Sequence, residues 1–175
     1  MRRALCLCHA TALAALLALA TAAHGHEVEG LVVSVQDGDT LTVLDQAKAQ
    51  HRVRIAGIDA PEKAQAFGEA SKTSLARLAF GKRVAARCHK HDRYGREVCS
   101  VYVAERDVGL EQVRNGLAWW YREYAREQTP HDRLTYEGAE LEAREARRGL
   151  WRDANPQPPA EWRKQHGRSR RTPAA

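Results

Sequence analysis

The residues from Val53 to Glu62 bring together the three side-chain types that phosphodiester hydrolysis requires. Arg54 lies inside a short β-strand pattern, and Asp59 and Glu62 follow at its end, on either side of Pro61. An arginine can hold a phosphate, an aspartate can bind a hard cation, and a glutamate can accept a proton. Taken alone, the same residues also fit an ordinary strand end with solvated charges.

A second pair of acidic residues lies in the segment Asp37-Gly38-Asp39-Thr40. Alone, this segment predicts a hairpin turn. If the second and third strands are antiparallel neighbours, however, Asp39 would meet Asp59, and the Ala60 carbonyl could act as a third ligand. Oxygen ligands of this kind suit Ca²⁺.

A third polar segment, Asp92 to Arg96, predicts a turn between two strands. It belongs to a basic cluster that extends from Lys82 to Arg96. Arg96 could hold a second side of a phosphate, and the Tyr94 ring could stack on a base. A solvated hairpin would have a similar composition, so the segment alone does not decide between the two.

Aromatic residues follow at Trp119-Trp120-Tyr121 and at Tyr124. Such a run more often belongs to a core than to a base-stacking surface. We therefore expect at least one tryptophan to be buried, and Tyr124 to be the residue that faces a nucleotide.

Two cysteines, Cys88 and Cys99, flank the turn within residues 92–95. Pairing across that turn places them directly opposite each other, which predicts a disulfide. A zinc site that adds His89 and His91 is the alternative, but successive side chains of a strand point to opposite faces.

Residues 1–23 predict a signal peptide and hence a secreted or periplasmic protein. Two arginines follow the initiating Met, residues 10–23 are uncharged and rich in Ala and Leu, and Ala20-Thr21-Ala22 offers small residues for cleavage. Cys6 and Cys8 would then be absent from the mature protein. An uncleaved N-terminal anchor is the alternative.

The formal net charge of +6 does not describe the folded body. Acidic and basic residues balance over positions 24–160, and the excess positive charge lies in the N-terminal segment and beyond Glu161. Overall charge therefore gives little support for a nucleic-acid partner. Residues 153–175 form a Pro- and Arg-rich tail, which we predict to be wrapped on the surface or disordered.

The periodicity of the chain predicts an α+β protein with an OB-fold, a five-stranded β-barrel with a helix between strands 3 and 4 and two C-terminal helices. The predicted domain spans residues 27–152. Leu134 and Leu141 are predicted to mark the buried face of the last helix. The predicted strands cover 27–35, 40–44, 51–58, 82–89 and 97–103, and the helices cover 67–80, 107–115 and 130–148.

These motifs, in this order and spacing, resemble the staphylococcal nuclease family over about residues 28–152. The segments Gly116-Leu117-Ala118 and Arg148-Gly149-Leu150-Trp151 extend the resemblance into the helical half. The family implies a Ca²⁺-dependent phosphodiesterase on an OB-fold that cleaves DNA and RNA and leaves 3′-phosphate ends.

The resemblance also implies roles for individual residues. Ca²⁺ would be bound by the Asp39 and Asp59 side chains and the Ala60 carbonyl. Glu62 would be the general base, and Arg54 and Arg96 would clamp the scissile phosphate. The substrate-binding residues would be Arg93, Tyr94 and Tyr124. The proximity of two arginines to a base and a cation site is what in-line attack by water on phosphorus requires.

The sequence departs from the staphylococcal enzyme at three positions. Ala60 replaces a threonine, Arg122 replaces a tyrosine that contacts the nucleotide, and Arg93 replaces a lysine near the nucleotide phosphate. A non-catalytic OB-fold module that binds nucleic acid is the alternative function, although such a module would be expected to lose Glu62, Arg54 or Arg96. Nothing in the sequence indicates a stable protein partner, so we expect a monomer, with no membrane contact after signal removal.

Overall fold

The computed structural model describes residues 25–169, with side chains described as far as residue 166. The strands are β1 (His26–Val35), β2 (Thr40–Asp45), β3 (Gln50–Ile55), β4 (Ile58–Asp59), β5 (Arg83–His91), β6 (Glu97–Val103), β7 (Arg106–Asp107) and β8 (Trp119–Trp120). The α-helices are α1 (Gly68–Ala79), α2 (Val108–Arg114), α3 (Pro130–Glu145) and α4 (Pro159–Ser169), and two 3₁₀ helices span Arg122–Glu127 and Gly149–Arg152. The predicted signal peptide, residues 1–23, lies outside the described residues.

Five strands close into the predicted OB-fold barrel. β1, β2 and β3 form an antiparallel meander, and β5 pairs with the other edge of β1 and then with β6. The parallel pairing of residues 53–55 of β3 with residues 97–99 of β6 closes the ring. Closure removes the open edges that would otherwise be available for pairing with other chains.

The barrel core is built from alternate residues of these strands, as the period of two requires. On β3, Val53 and Ile55 are fully buried, and Arg54 between them projects to the other side. Leu75 of α1 and Val113 of α2 pack into the same core cluster. The strand that closes the barrel therefore delivers Arg54 to the outer face.

The third strand is shorter than predicted. We expected one strand over residues 51–58, but the chain turns at Gly57, whose φ is 74°. This left-handed conformation favours glycine, which has no Cβ atom to clash with the backbone. Beyond the turn, Ile58 and Asp59 form β4 and pair with β8 instead. Asp59 thus lies on a separate two-stranded ribbon.

Cys88 and Cys99 are directly paired across β5 and β6 and joined by a disulfide, as predicted. Their bridged sulfurs exclude the zinc alternative. His26 and Glu97 lie beside Cys88 in an arrangement that resembles a metal site, but the same bridge removes the thiolate that it would need.

The prediction that Leu134 and Leu141 mark the buried face of α3 is wrong. Leu134 and Leu141 are 71% and 56% exposed. The buried residues are Tyr136, Ala139, Glu140 and Ala143, which share one face by their spacing. Two alanines allow the helix to approach the barrel closely, whereas the larger leucines lie outside the contact. The N-terminal cap is as predicted, because the Thr129 hydroxyl accepts a hydrogen bond from the Asp132 amide at 3.1 Å.

The C-terminal tail contains a helix that the sequence prediction did not include. α4 begins at Pro159, a favoured residue for the first turn, and Pro159 is buried. Within residues 25–169, no helix combines the length and the apolar character needed to cross a membrane.

Candidate active site

The turn between β1 and β2 fixes the position of Asp39. At Gly38, a Cβ atom would lie 1.9 Å from Ser71 Oγ of α1, so a side chain has no room. The fully buried Gln112 of α2 donates a hydrogen bond to the Gly38 carbonyl at 2.9 Å. Two helices therefore hold this turn against the barrel, and they hold Asp39 with it.

Asp39 and Asp59, which come from different turns, meet around one arginine. Arg54 Nη2 lies 3.3 Å from Asp39 Oδ2 and 3.4 Å from Asp59 Oδ1. The other terminal nitrogen of Arg54 donates to two backbone carbonyls of the β3–β4 segment, which fixes the guanidinium. The Ala60 amide donates to Asp39 Oδ2 at 3.0 Å. The structure thus brings together the three residues predicted to bind a cation.

These carboxylates are buried, and their charges interact. Burial is the largest cause that raises the pKa of Asp59, and the nearby Asp39 raises it further, while Arg163 of α4 and, to a smaller extent, Arg54 oppose both. Burial and the charge of Asp39 raise the pKa of Asp37 to about 6. Burial and mutual repulsion therefore disfavour the ionised carboxylates, and a cation that binds between them would stabilise the ionised form.

Glu62 follows β4 in a loop that Gln65 stabilises. The Gln65 side chain accepts a hydrogen bond from the Glu62 amide at 3.1 Å, and Gln65 is itself buried. The Glu62 side chain is 40% exposed, so water can reach its carboxylate. A loop carboxylate beside two buried ones is suitably placed to accept a proton from water.

Arg96 approaches the same site from the β5–β6 turn. Its Nε donates to Asp92 Oδ2 at 2.7 Å, and its Nη1 donates to the Thr40 hydroxyl at 3.0 Å. The Thr40 hydroxyl in turn donates to Asp39 Oδ1 at 3.0 Å. Burial would raise the pKa of Asp92, but hydrogen bonds from Arg96 and Tyr94 outweigh burial and lower it. Arg96 is therefore positioned by an ionised carboxylate and by a residue that also holds Asp39.

The predicted substrate-binding residues form an exposed aromatic and basic surface. Tyr94 is 64% exposed, and the guanidinium carbons of Arg93 and Arg96 lie 4.9 and 5.6 Å from its ring centre. Tyr124 is also exposed, and it packs edge to face against Tyr121 at 4.8 Å. Trp120 is buried, as expected for one tryptophan of the run.

Comparison with known proteins identifies the family. A family model described as Staphylococcal nuclease homologue matches residues 52–153. The chain is 42% identical over 134 residues to an uncharacterized endonuclease of Haemophilus influenzae, covering 77% of this chain and 72% of that protein. It is 39% identical over 173 residues to a micrococcal nuclease of Shigella flexneri, covering 94% and 96%. The chain belongs to the staphylococcal nuclease family. It is a nuclease.

One departure from the staphylococcal nuclease pattern has a clear structural role. Arg122, which stands where the staphylococcal enzyme has a tyrosine, forms an ion pair with Glu140 at 2.7 Å and lies over the Trp120 ring. Glu140 is almost fully buried and also accepts a hydrogen bond from the Trp120 amide at 3.1 Å. Arg122 thus compensates a buried charge on α3.

Three further residues contact the proposed site residues, and no sequence motif gave them a role: Thr40, Gln65 and Arg163. Arg163 of α4 donates to both oxygens of Asp59, at 3.0 and 2.9 Å, and to Glu62 Oε1 at 2.9 Å. Pro158-Pro159-Ala160-Glu161 carries a recognisable helix start, with proline and an acidic residue in the first turn. That pattern could have revealed the helix, but not its contact with a site about 100 residues earlier.

Proposed function

We propose that this nuclease is a Ca²⁺-dependent phosphodiesterase that hydrolyses the P–O5′ bond of DNA and RNA and leaves 3′-phosphate ends. The observation that carries the proposal is the meeting of Asp39 and Asp59 around Arg54, with Glu62 three residues beyond. Together these residues offer a cation site, a phosphate ligand and a base within one short stretch of surface.

The donor set fits Ca²⁺. Asp39 and Asp59 supply carboxylate oxygens and Ala60 would supply a carbonyl oxygen, whereas no thiolate or imidazole is among the described residues that contact them. The Arg163 guanidinium, bonded to both oxygens of Asp59, shows that this carboxylate accepts a positively charged group. When bound, Ca²⁺ would supply positive charge to a phosphate oxygen and help to orient the attacking water.

Glu62 is the proposed general base. It would take a proton from the water that attacks phosphorus, and its partly exposed carboxylate gives that water access. The hydrogen bond from the Glu62 amide to Gln65 fixes the loop on which this carboxylate lies. Asp59 is less suitable as the base because it is buried, contacts Arg54 and accepts from Arg163 with both oxygens, whereas Glu62 is 40% exposed and contacts Arg163 through Oε1.

Arg54 and Arg96 are the proposed phosphate clamp. Both guanidiniums are anchored by hydrogen bonds before substrate binds, which reduces the reorganisation needed at the reaction. A guanidinium stays charged and presents parallel donors that match two phosphate oxygens, whereas an ammonium is a single point charge. The clamp would neutralise charge as it develops on the phosphate.

The exposed aromatic and basic side chains support a nucleic-acid substrate. Tyr94 is 64% exposed, and the guanidiniums of Arg93 and Arg96 lie over its ring. Tyr124 offers a second exposed ring. Stacking on such rings tolerates any base, which suits cleavage of both DNA and RNA.

We also propose that the protein acts outside the cytoplasm. Residues 1–23 have the pattern of a signal peptide, and the Cys88–Cys99 disulfide suits the oxidising environment that export provides.

The experiment that tests this mechanism compares Glu62→Gln with the wild-type protein on a single-stranded DNA oligonucleotide in Ca²⁺. Cleavage should fall by about 10²–10⁴-fold because the amide cannot accept the proton. Glu137→Gln, which changes an exposed glutamate on the outer face of α3, is the matched control and should cleave normally.

Near-normal turnover by Glu62→Gln would remove Glu62 from its proposed role. Tight DNA binding without cleavage by the wild-type protein would instead favour an OB-fold module that binds nucleic acid without cutting it.

A further inference from the structure

The C-terminal helix occupies the proposed cation site with a charged group of its own. The two terminal nitrogens of Arg163 each donate to one oxygen of Asp59, and Nη1 also donates to Glu62. One guanidinium therefore bridges the proposed metal ligand and the proposed general base. The positive charge and the fork of donors make Arg163 an internal substitute for a cation.

The segment that carries Arg163 has further contacts with the site. The Gln65 side chain, which holds the Glu62 loop, donates to the Gln157 carbonyl at 2.6 Å. The Gln157 side chain donates to Gln165 at 2.8 Å, on the turn of α4 that follows Arg163. Buried Pro159 begins the helix between these two contacts. The position of α4 against the rest of the protein therefore does not depend on Arg163 alone.

Binding of Arg163 and binding of a divalent cation oppose each other at Asp59. Both oxygens of this carboxylate accept from Arg163, and Arg54 lies 3.4 Å from one of them. A cation that ligates Asp59 would lie next to two guanidiniums, so like-charge repulsion would add to the competition for the oxygens. The Arg54 side chain is only 14% exposed, whereas the Arg163 side chain is 42% exposed and can withdraw toward solvent.

We propose that Arg163 is a built-in competitor for the divalent cation, so that the C-terminal helix must release Asp59 before the nuclease is loaded. This inference rests on the proposed function, because it concerns the same cation site. The engaged form lowers the fraction of molecules that can bind the cation, and the apparent dissociation constant rises by the inverse of that fraction. For a partly exposed ion pair, we expect an effect of about three- to tenfold.

The test is a calorimetric titration of CaCl₂ into the mature protein and into Arg163→Gln. Lys164→Gln is the matched control, since it removes the neighbouring charge of the same helix. Arg163→Gln should bind Ca²⁺ about three- to tenfold more tightly than the wild type, and Lys164→Gln should bind like the wild type. Arg163→Lys, which keeps the charge but not the fork, should fall between them.

Cleavage measured on the same proteins separates the possible failures. The Ca²⁺ concentration for half-maximal cleavage should fall in Arg163→Gln and stay at the wild-type value in Lys164→Gln. Equal or weaker Ca²⁺ binding by Arg163→Gln, with cleavage intact in both proteins, would overturn the competition alone. Absence of Ca²⁺ binding and of cleavage in every protein would overturn the proposed function and the competition with it.

Discussion

Arg96 donates a hydrogen bond to the Thr40 hydroxyl at 3.0 Å, and this contact links the two sides of the site. The same hydroxyl donates to Asp39, so one buried threonine positions both a clamp residue and a proposed metal ligand. Thr40 and Arg96 are 56 residues apart in the sequence. They meet because the barrel brings the start of β2 close to the start of β6.

Thr40→Val should lower kcat/KM by about tenfold. The substitution keeps the shape of the side chain but removes the hydroxyl that contacts both Arg96 and Asp39, a loss of about 1–3 kcal/mol. Steady-state cleavage kinetics test this prediction, and Thr40→Ser, which restores the hydroxyl, should recover most of the activity. Equal rates for the valine and serine variants would show that the hydroxyl positions nothing.

Arg96→Lys should reduce cleavage by about 10²–10³-fold, in line with the loss of a preorganised donor to a developing charge. Lysine preserves the charge but cannot contact Asp92, Thr40 and a phosphate at the same time. Single-turnover cleavage at saturating enzyme separates this effect from weaker substrate binding. Arg77→Lys, on the exposed side of α1, is the control, and a lysine variant at position 96 as active as that control would contradict the clamp.

Loss of the disulfide should lower stability without abolishing activity. Cys88 and Cys99 are buried and pair beside the strand that closes the barrel. Their bridge closes a short loop, so the double substitution to alanine should cost about 2 kcal/mol and lower the Tm by about 4–8 °C. Thermal melts and cleavage at 25 °C measure the two effects. Two free thiols in exported protein would refute the bridge.

A histidine between two acids should make stability depend on pH. His51 contacts Glu97 at 2.9 Å and Asp45 at 3.1 Å, and these hydrogen bonds raise the pKa of His51 above 6.5. The charged histidine stabilises the fold fully below pH 6.5, the ordinary histidine pKa. This stabilisation is lost as pH rises through the higher pKa of the folded state. Burial opposes the ionisation of Glu97, but hydrogen bonds from His51 and His26 lower its pKa below 4.5. Its contribution is thus lost only as pH falls through that lowered value.

His51→Gln should therefore be most destabilising between about pH 4.5 and 6.5, by about 2–4 °C in Tm. The deficit should shrink as pH rises through the raised pKa of His51. Melting curves at pH 5.5 and 8.5 test this, with the exposed His131→Gln as control. A deficit of the same size at both pH values would contradict the charged network.

Sequence reasoning predicted the barrel because its strands alternate strongly and its turns carry Gly and Asp at defined places. It also placed Asp39 near Asp59, since that required only that β2 and β3 be antiparallel neighbours. It missed the break at Gly57 because apolar residues continue on both sides of the turn. The pairing of Ile58 and Asp59 with β8, which the local sequence does not indicate, draws the chain away from β3 at this point.

The remaining errors have the same origin. The small side chains of Ala139 and Ala143 let α3 approach the barrel closely, and this determines its buried face. Leu134 and Leu141 form the stronger hydrophobic pattern in the sequence, but that pattern predicts the wrong face. The contact of Arg163 with Glu62 spans 101 residues, and a basic tail gives no local indication of it. Long-range packing decided each of these features.

The proposed mechanism can be tested by cleavage of single-stranded DNA with the purified protein, in Ca²⁺ and in excess chelator, followed by analysis of the product ends. We expect fragments that end in 3′-phosphate and that form only when Ca²⁺ is present. Equal cleavage in the chelator, or products that end in 3′-hydroxyl, would contradict it.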